Sequence, residues 1–185
     1  MKRVFIALLT IFLSGCWFST PNSNFYLLES VTDQQMKSEK KVSIAVQDIY
    51  LPEYLQKPQI VLQKQGDTEL KISEFNRWAS DLDVMFQNTL IEDLQKMFPN
   101  ATVKPLVYGS NAKYVLKINV EKMSGYFKQT AYLSGVWQIL SANGAVLKSS
   151  KFSFEDQMQR DYASYVKTQS ILISKLAEEV AAFFK

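Results

Sequence analysis

Alternating apolar and polar positions along the chain predict most of its β-strands. Residues 42–46 alternate large and small side chains, and residues 114–120 place apolar residues at every second position. This period of two is typical of a strand that buries one face. Residues 131–140 and 145–154 flank an Asn-Gly pair that favours a type I′ turn, so they predict a hairpin. A Gly-Asp turn within residues 60–72 predicts a second hairpin.

Apolar residues spaced three and four apart predict two amphipathic helices. The first has Ser80 as its predicted N-cap, aspartates in its first turn, and an apolar stripe that ends before Pro99. The second extends from about residue 161 to residue 184, with a polar face opposite its apolar stripe. Together with a strand candidate at residues 25–28, the element order is strands, helix, strands, helix. This order predicts an α+β domain, a mostly antiparallel sheet with two amphipathic helices packed on one face.

The N-terminal residues have the order of a secretory signal that ends in a cysteine. A basic dipeptide precedes an apolar run, and the run ends in Leu-Ser-Gly-Cys at residues 13–16. This tetrapeptide looks like a bacterial lipobox, which predicts signal cleavage between Gly15 and Cys16 and lipidation of the Cys16 thiol. The run is about half of the roughly 20 apolar residues that a transmembrane helix needs, so a retained membrane span is the weaker interpretation.

These features divide the chain into a lipoprotein-type signal peptide at 1–15, a lipidated tether at 16–24 and a single periplasmic α+β domain at 25–185. Two or three acyl chains on Cys16 would hold the domain stably on a membrane, because each buried methylene contributes about 0.8 kcal/mol. Trp17, rather than an aspartate, follows the cysteine. By analogy with bacterial lipoprotein sorting, this predicts the periplasmic face of the outer membrane.

Composition argues against most kinds of catalysis and metal binding. The chain has no histidine, and its one cysteine is the predicted lipid attachment site. Histidine is the usual general base near neutral pH and the commonest metal ligand. We therefore predict no catalytic residue, no metal site and no cofactor apart from the covalent lipid on Cys16. The net charge is only +3 and no Lys/Arg cluster occurs, which argues against nucleic acid as a partner.

Two motifs in the middle of the chain resemble the PqiC (YmbA-like) family of lipoproteins. Leu-Pro-Glu-Tyr-Leu at 51–55 is followed by Lys-Pro-Gln-Ile-Val at 57–61, and Asn-Arg-Trp-Ala occurs at 76–79. The lipobox, the opening at 25–28 and the final helix extend the resemblance over nearly the whole mature chain.

The resemblance implies a non-enzymatic auxiliary component of an ABC-type or MCE-type transport system. Its expected partners are outer-membrane lipids and a PqiB-like MCE-domain tunnel protein, which moves lipid between the membranes and supports envelope integrity. A homo-oligomeric ring around the tunnel is a further implied assembly.

The predicted partner-binding residues are Leu51, Pro52, Glu53, Tyr54, Arg77 and Trp78. Exposed tryptophan, tyrosine and arginine are the residue types most enriched at binding hot spots. The alternative interpretation places Tyr54 and Trp78 in the core and pairs Arg77 with Glu74 or Asp81.

Two other functions stay open at this point. A lipid carrier would hold an apolar ligand in its own groove, lined by Tyr126, Phe127, Tyr132 and Trp137, although aromatic residues on strand faces are more typical of a core. An envelope hydrolase would need a buried pair of carboxylates that line a cleft.

Overall fold

The computed structural model describes residues 21–35, 41–64, 66–108 and 111–184. The predicted signal peptide and Cys16 lie outside these residues. The helices and strands, in chain order, are β1 (Asn24–Tyr26), β2 (Ser43–Val46), β3 (Gln59–Leu62), β4 (Lys71–Trp78), α1 (Leu82–Met97), β5 (Thr102–Pro105), β6 (Tyr114–Gly125), β7 (Thr130–Ser141), β8 (Val146–Gln157) and α2 (Tyr162–Ala182).

The larger sheet has five strands in the order β5-β2-β6-β7-β8. Strands β6, β7 and β8 form the antiparallel meander that the alternating pattern predicted. Gly144 in the predicted turn has a φ of +86°, a conformation that glycine adopts at no steric cost. Strand β2 pairs in parallel with both β5 and β6. Its residues Ile44, Ala45 and Val46 are buried, as expected for a strand covered on both faces.

The smaller sheet has three strands in the order β1-β4-β3. Strands β3 and β4 are antiparallel, which confirms the hairpin predicted at residues 60–72. Strand β1 pairs in parallel with β4, so Phe25 lies opposite Arg77 and Tyr26 lies opposite Trp78. The α+β class is confirmed, and the sheets are mixed rather than purely antiparallel.

The two helices begin differently. Helix α2 has Asp161 as its N-cap, and the Asp161 Oδ1 atom accepts a hydrogen bond of 2.6 Å from the Ser164 N–H group. Helix α1 begins at Leu82 with Asp81 in the N-cap position, and the Asp81 side chain makes no capping hydrogen bond. The prediction of Ser80 as the N-cap is therefore wrong, because the chain turns into the helix one residue later.

The helices run in the same direction and pack together against the larger sheet. Near the starts of the helices, the ring of Trp78, the last residue of β4, lies 6.3 Å from the Tyr165 ring, measured between centroids. At the helix ends, the rings of Phe98 and Phe184 lie 6.2 Å apart. Apolar stripes from both helices join residues of both sheets in one hydrophobic core. Full burial of each large side chain in such a core contributes about 1.5–3 kcal/mol.

The segment after β1 lies over the helix pair. The Glu29 N–H group donates to Ser170 Oγ on α2 at 3.2 Å, and Ser30 Oγ donates to Asp93 Oδ1 on α1 at 2.5 Å. Farther on, Gln34 Nε2 donates to Glu178 Oε1 at 2.9 Å. Residues 27–34 therefore follow the helices from their N-terminal toward their C-terminal ends.

Candidate partner-docking cleft

The Leu-Pro-Glu-Tyr-Leu motif forms one wall of a cleft. Backbone bonds between Tyr50 and β6 attach the start of this segment to the larger sheet. Pro52 then precedes a single 3-10 turn over Glu53–Leu55, which is closed by a 2.9 Å hydrogen bond from the Leu55 N–H group to the Pro52 carbonyl. Gln56 Nε2 donates back to the Leu51 carbonyl at 2.7 Å. These bonds give the wall a defined shape despite its lack of regular structure.

The second motif forms the facing wall. The Trp78 N–H group donates to the Pro58 carbonyl at 2.7 Å and the Ala79 N–H group donates to the Tyr26 carbonyl at 2.9 Å. These two bonds hold the end of β4 between the first motif and β1. The cleft between the walls measures about 500 Å³, and it is lined by Leu51, Gln56, Lys57, Pro58, Trp78, Ala79, Ser80, Asp81, Leu82 and Asp83.

The six predicted contact residues lie in different environments. Leu51 and Trp78 belong to the core, with only 1% and 4% of their surface exposed, and they present an edge to the cleft. Pro52, Tyr54 and Arg77 are half-buried and Glu53 is exposed, and none of these four residues lines the cleft. The structure thus places Trp78 where the alternative interpretation put it, since the ring packs on Tyr165.

Tyr54 belongs to a cluster of tyrosines under the first motif. Burial raises the pKa of the Tyr54 phenol, and the neighbouring Tyr132 adds to the increase. The Tyr132 hydroxyl donates to the Gln63 carbonyl at 2.8 Å. Burial also raises the pKa of Tyr165 well above its ordinary value. The Tyr54 and Tyr165 phenols are therefore neutral at physiological pH, and neither supplies a base.

Arg77 has no ion-pair partner among the described residues. The two ion pairs found there are Lys96–Glu92 and Lys175–Asp156, so the predicted pairing of Arg77 with Glu74 or Asp81 is absent from this part of the chain. Its Nε atom is buried and has no hydrogen-bond partner among the described residues. The terminal nitrogens of the guanidinium are what remains for a contact with another molecule.

The cleft combines both signs of charge with an apolar floor. Lys57 lies on one wall, and Asp81 and Asp83 lie on the other, beside the N-terminal end of α1. A concave surface of this kind suits a protein segment that brings its own polar groups, since interfaces pair an apolar centre with a polar rim. A wholly apolar ligand would leave these charges desolvated and unpaired, at a large cost.

The sequence-based choice of contact residues missed several that line the cleft. Gln56, Lys57, Asp81 and Asp83 were outside the predicted set. Their position in the sequence could have identified them, because each lies in one of the two motifs or within five residues of one.

The aromatic residues proposed for a lipid-binding groove have other contacts. Trp137 is 2% exposed, and its Nε1 atom donates to Glu179 Oε1 at 2.8 Å. Phe127 packs edge-on against Tyr162 with 5.0 Å between ring centroids, and the Tyr132 hydroxyl bonds the backbone as described above. The Trp137 and Phe127 contacts join β7 and the loop before it to α2, and the Tyr132 bond joins β7 to the segment after β3. Together they disfavour a groove lined by these three rings.

Neither a metal centre nor a bilayer span is present in the described ranges. No group of three or more His, Cys, Asp or Glu side chains comes together there. In the same ranges, neither helix combines the length and the apolar character needed to cross a membrane.

Comparison with known proteins identifies the family. A family model described as the ABC-type transport auxiliary lipoprotein component matches residues 26–181. The chain belongs to this family. The resemblance carried by the two motifs is thereby confirmed, and the family is one of transport auxiliary lipoproteins rather than of enzymes. Membership of a lipoprotein family is consistent with a lipid-anchored location in the cell envelope.

Relatives cover the chain from end to end. It is 29% identical over 188 residues to the intermembrane transport lipoprotein PqiC of Escherichia coli (strain K12). The alignment covers 100% of this chain and 98% of that protein. A crystal structure of an uncharacterized protein is 25% identical, with a TM-score of 0.73 over 89% of this chain and 100% of the other. A crystal structure of a Xanthomonas campestris protein is 16% identical, with a TM-score of 0.70 over 86% of this chain and 94% of the other. At this low identity, the likeness to the Xanthomonas campestris structure shows a shared fold and nothing more.

Proposed function

We propose that this chain is a non-catalytic lipoprotein that docks an MCE-type tunnel protein of an intermembrane lipid transport system and so supports the integrity of the envelope. Acyl chains on Cys16 hold it on the periplasmic face of the outer membrane. The cleft between the two motifs receives a segment of the tunnel protein.

The observation that carries the proposal is the cleft itself. Two segments twenty residues apart in sequence, 51–58 and 78–83, meet there and expose side chains of both charges. The Ala79–Tyr26 backbone bond places the cleft beside the end of β1, the first strand after the tether. An anchored domain with a short tether confines such a surface to a thin layer near the membrane. This confinement raises its effective concentration for a partner that reaches across the periplasm.

Family membership supports the transport role, and the name of the Escherichia coli relative refers to intermembrane transport. Direct contacts are assigned to residues that line the cleft and are accessible in it. These are Gln56, Lys57 and Asp81, while Leu51 and Trp78 hold the walls in place.

Site-specific photocrosslinking in the intact envelope tests the docking surface. A photoreactive residue replaces Asp81, which is exposed and lines the cleft, or Lys148, which is exposed on β8. We expect the residue at position 81 to capture an MCE-domain protein and the one at position 148 to capture none. Equal capture at both positions, or capture from Lys148 alone, would show that the docking surface lies elsewhere.

A second experiment tests the anchor. The Cys16→Ala variant should leave the outer-membrane fraction and fail to restore the permeability barrier of a strain that lacks the protein. If the variant still sediments with the outer membrane and restores the barrier, lipid on Cys16 does not determine where the protein acts.

A further inference from the structure

A row of outward-facing apolar side chains begins directly after the tether. In the extended segment from residue 25 to 32, even-numbered residues face the protein, and Leu28 and Thr32 are buried. Odd-numbered residues face outward: Phe25, Leu27 and Val31 are 65%, 57% and 38% exposed, respectively, and Glu29 between them is exposed as well. Three of the four outward positions are therefore apolar, whereas a segment with one face in water normally places polar residues on that face. We call Phe25, Leu27 and Val31 the outer row.

A shallow groove adjoins the outer row. It measures about 420 Å³ and lies between residues 26–31 and the first turns of α2. Leu27, Val31, Ala163 and Val166 give it an apolar lining, and Glu29 and Lys167 stand at its rim. The rim therefore offers one carboxylate and one ammonium group around an apolar centre.

The length of the tether limits what can cover the outer row. Phe25 is nine residues from Cys16, and an extended chain of that length reaches roughly 30 Å. Val31 lies on the same face of the same segment, six residues farther along. Lipid on Cys16 would thus keep the whole outer row within reach of the leaflet that holds the acyl chains.

We propose that the outer row is a second membrane contact, which lies in the interfacial region of the leaflet that anchors Cys16 and fixes the orientation of the domain. This inference rests on the lipid anchor of the proposed function. The three apolar side chains enter the headgroup region, and Lys167 meets lipid phosphate groups. The domain then lies with this segment and the start of α2 toward the membrane.

The opposite end of α2 provides the natural comparison. Leu147 is 47% exposed and lines a different groove with Tyr114, whose ring lies 5.2 Å from that of Phe184, measured between centroids. The 21 residues of α2 separate this end from Leu27 by roughly 30 Å, at 1.5 Å per residue. A domain oriented by the outer row keeps Leu147 in water.

The experiment uses the mature, lipidated chain in vesicles of phosphatidylethanolamine and phosphatidylglycerol. Cys16 is the sole cysteine of the sequence, so in the lipidated preparation an introduced cysteine is the only free thiol. Leu27→Cys, Val31→Cys and the control Leu147→Cys each receive a nitroxide label. Collision rates are then measured with oxygen, which enters lipid, and with a nickel chelate, which stays in water. Unfolding midpoints confirm that each labelled protein is folded.

We expect labels at Leu27 and Val31 to lie about 5–10 Å below the headgroup surface, the depth of interfacial apolar side chains, and the label at Leu147 to lie in water. Nickel collision rates as high at Leu27 and Val31 as at Leu147 would overturn the proposal while leaving the anchor intact. Labels shielded from both reagents would also overturn it, because protein would then cover the row. Release of the unmodified lipoprotein from the vesicles would instead defeat the proposed anchor.

Discussion

The Ser30 hydroxyl donates a hydrogen bond of 2.5 Å to Oδ1 of Asp93, a residue that helix α1 buries completely. Lys96 Nζ lies 2.9 Å from the same hydroxyl. The Asp93 Oδ2 atom has no partner among the described residues. This contact attaches the segment that follows the tether to the helix pair.

Replacing Ser30 with alanine should destabilise the domain and loosen this segment. The buried Asp93 carboxylate would lose its hydroxyl donor, and an unsatisfied buried polar group costs about 1–3 kcal/mol. Urea unfolding measures the loss, and limited proteolysis within residues 27–35 measures the loosening. The control is Ser153→Ala at an exposed position on β8, where we expect a change within about 0.5 kcal/mol. Equal effects of the two substitutions would contradict the role assigned to Ser30.

The stability contributed by Asp93 should depend on pH. Burial raises the pKa of this carboxyl above the ordinary value of 3.8, against the lowering effect of the Ser30 hydrogen bond. The folded state therefore holds the proton more tightly than the unfolded state. The resulting stabilisation is complete below pH 3.8 and is lost as pH rises through the raised pKa.

The Asp93→Asn variant tests this dependence, because asparagine keeps a carbonyl acceptor for Ser30 and cannot ionise. The free energy of unfolding of the variant, minus that of the wild type, should increase as pH rises from about 4 toward neutrality. Urea titrations of both proteins at a series of pH values give this difference. A difference that stays constant or decreases over the range would show that Asp93 does not titrate as described.

Local sequence patterns predicted those elements whose partners are close in the chain. The meander of β6, β7 and β8 follows from alternation and from a turn at Asn143-Gly144, since hairpin partners are adjacent in sequence. Strand β5 was missed, because four residues ending in Pro105 carry too short a pattern. The parallel pairing of β1 with β4 joins residues about fifty positions apart, such as Asn24 and Asn76, and no local signal specifies it.

Exposure was harder to predict than the motifs themselves. Trp78 and Glu53 come from the two segments that form the cleft, yet one is buried and the other is exposed. The sequence around Trp78 does not show that Tyr165, nearly ninety residues later, packs against its ring. The motifs could thus locate the cleft, whereas the division between wall and contact residues required the tertiary structure.

Gly135 should be among the least replaceable residues of the larger sheet. A Cβ atom added there would lie 2.1 Å from the Asn119 carbonyl oxygen and 3.0 Å from the Val120 Cα atom, next to a register shift between β6 and β7. Backbone atoms cannot move away without breaking the strand pairing. We expect Gly135→Ala to cost about 3 kcal/mol or more in urea unfolding, the upper end for overpacking.

Gly144→Ala is the matched comparison for Gly135. A Cβ atom at Gly144 would meet no atom within 4 Å, and only its φ of +86° opposes a side chain. We expect a cost of about 1–2 kcal/mol, the usual penalty for a left-handed conformation. If Gly144→Ala proves the more damaging substitution, the close approach of β6 to Gly135 is not what constrains the sheet.

Glu179 should matter as a hydrogen-bond acceptor rather than as a charge. Its Oε1 atom accepts the 2.8 Å bond from the buried Trp137 indole and lies 3.4 Å from the Ser150 hydroxyl, so it joins α2 to β7 and β8. Glu179→Ala leaves the indole N–H group buried without a partner, which costs about 1–3 kcal/mol. Glu179→Gln keeps a carbonyl acceptor at the same position and should cost less. Urea unfolding of the two variants measures the free energy that each substitution costs. Equal destabilisation would mean that the negative charge, rather than the acceptor, holds the tryptophan in place.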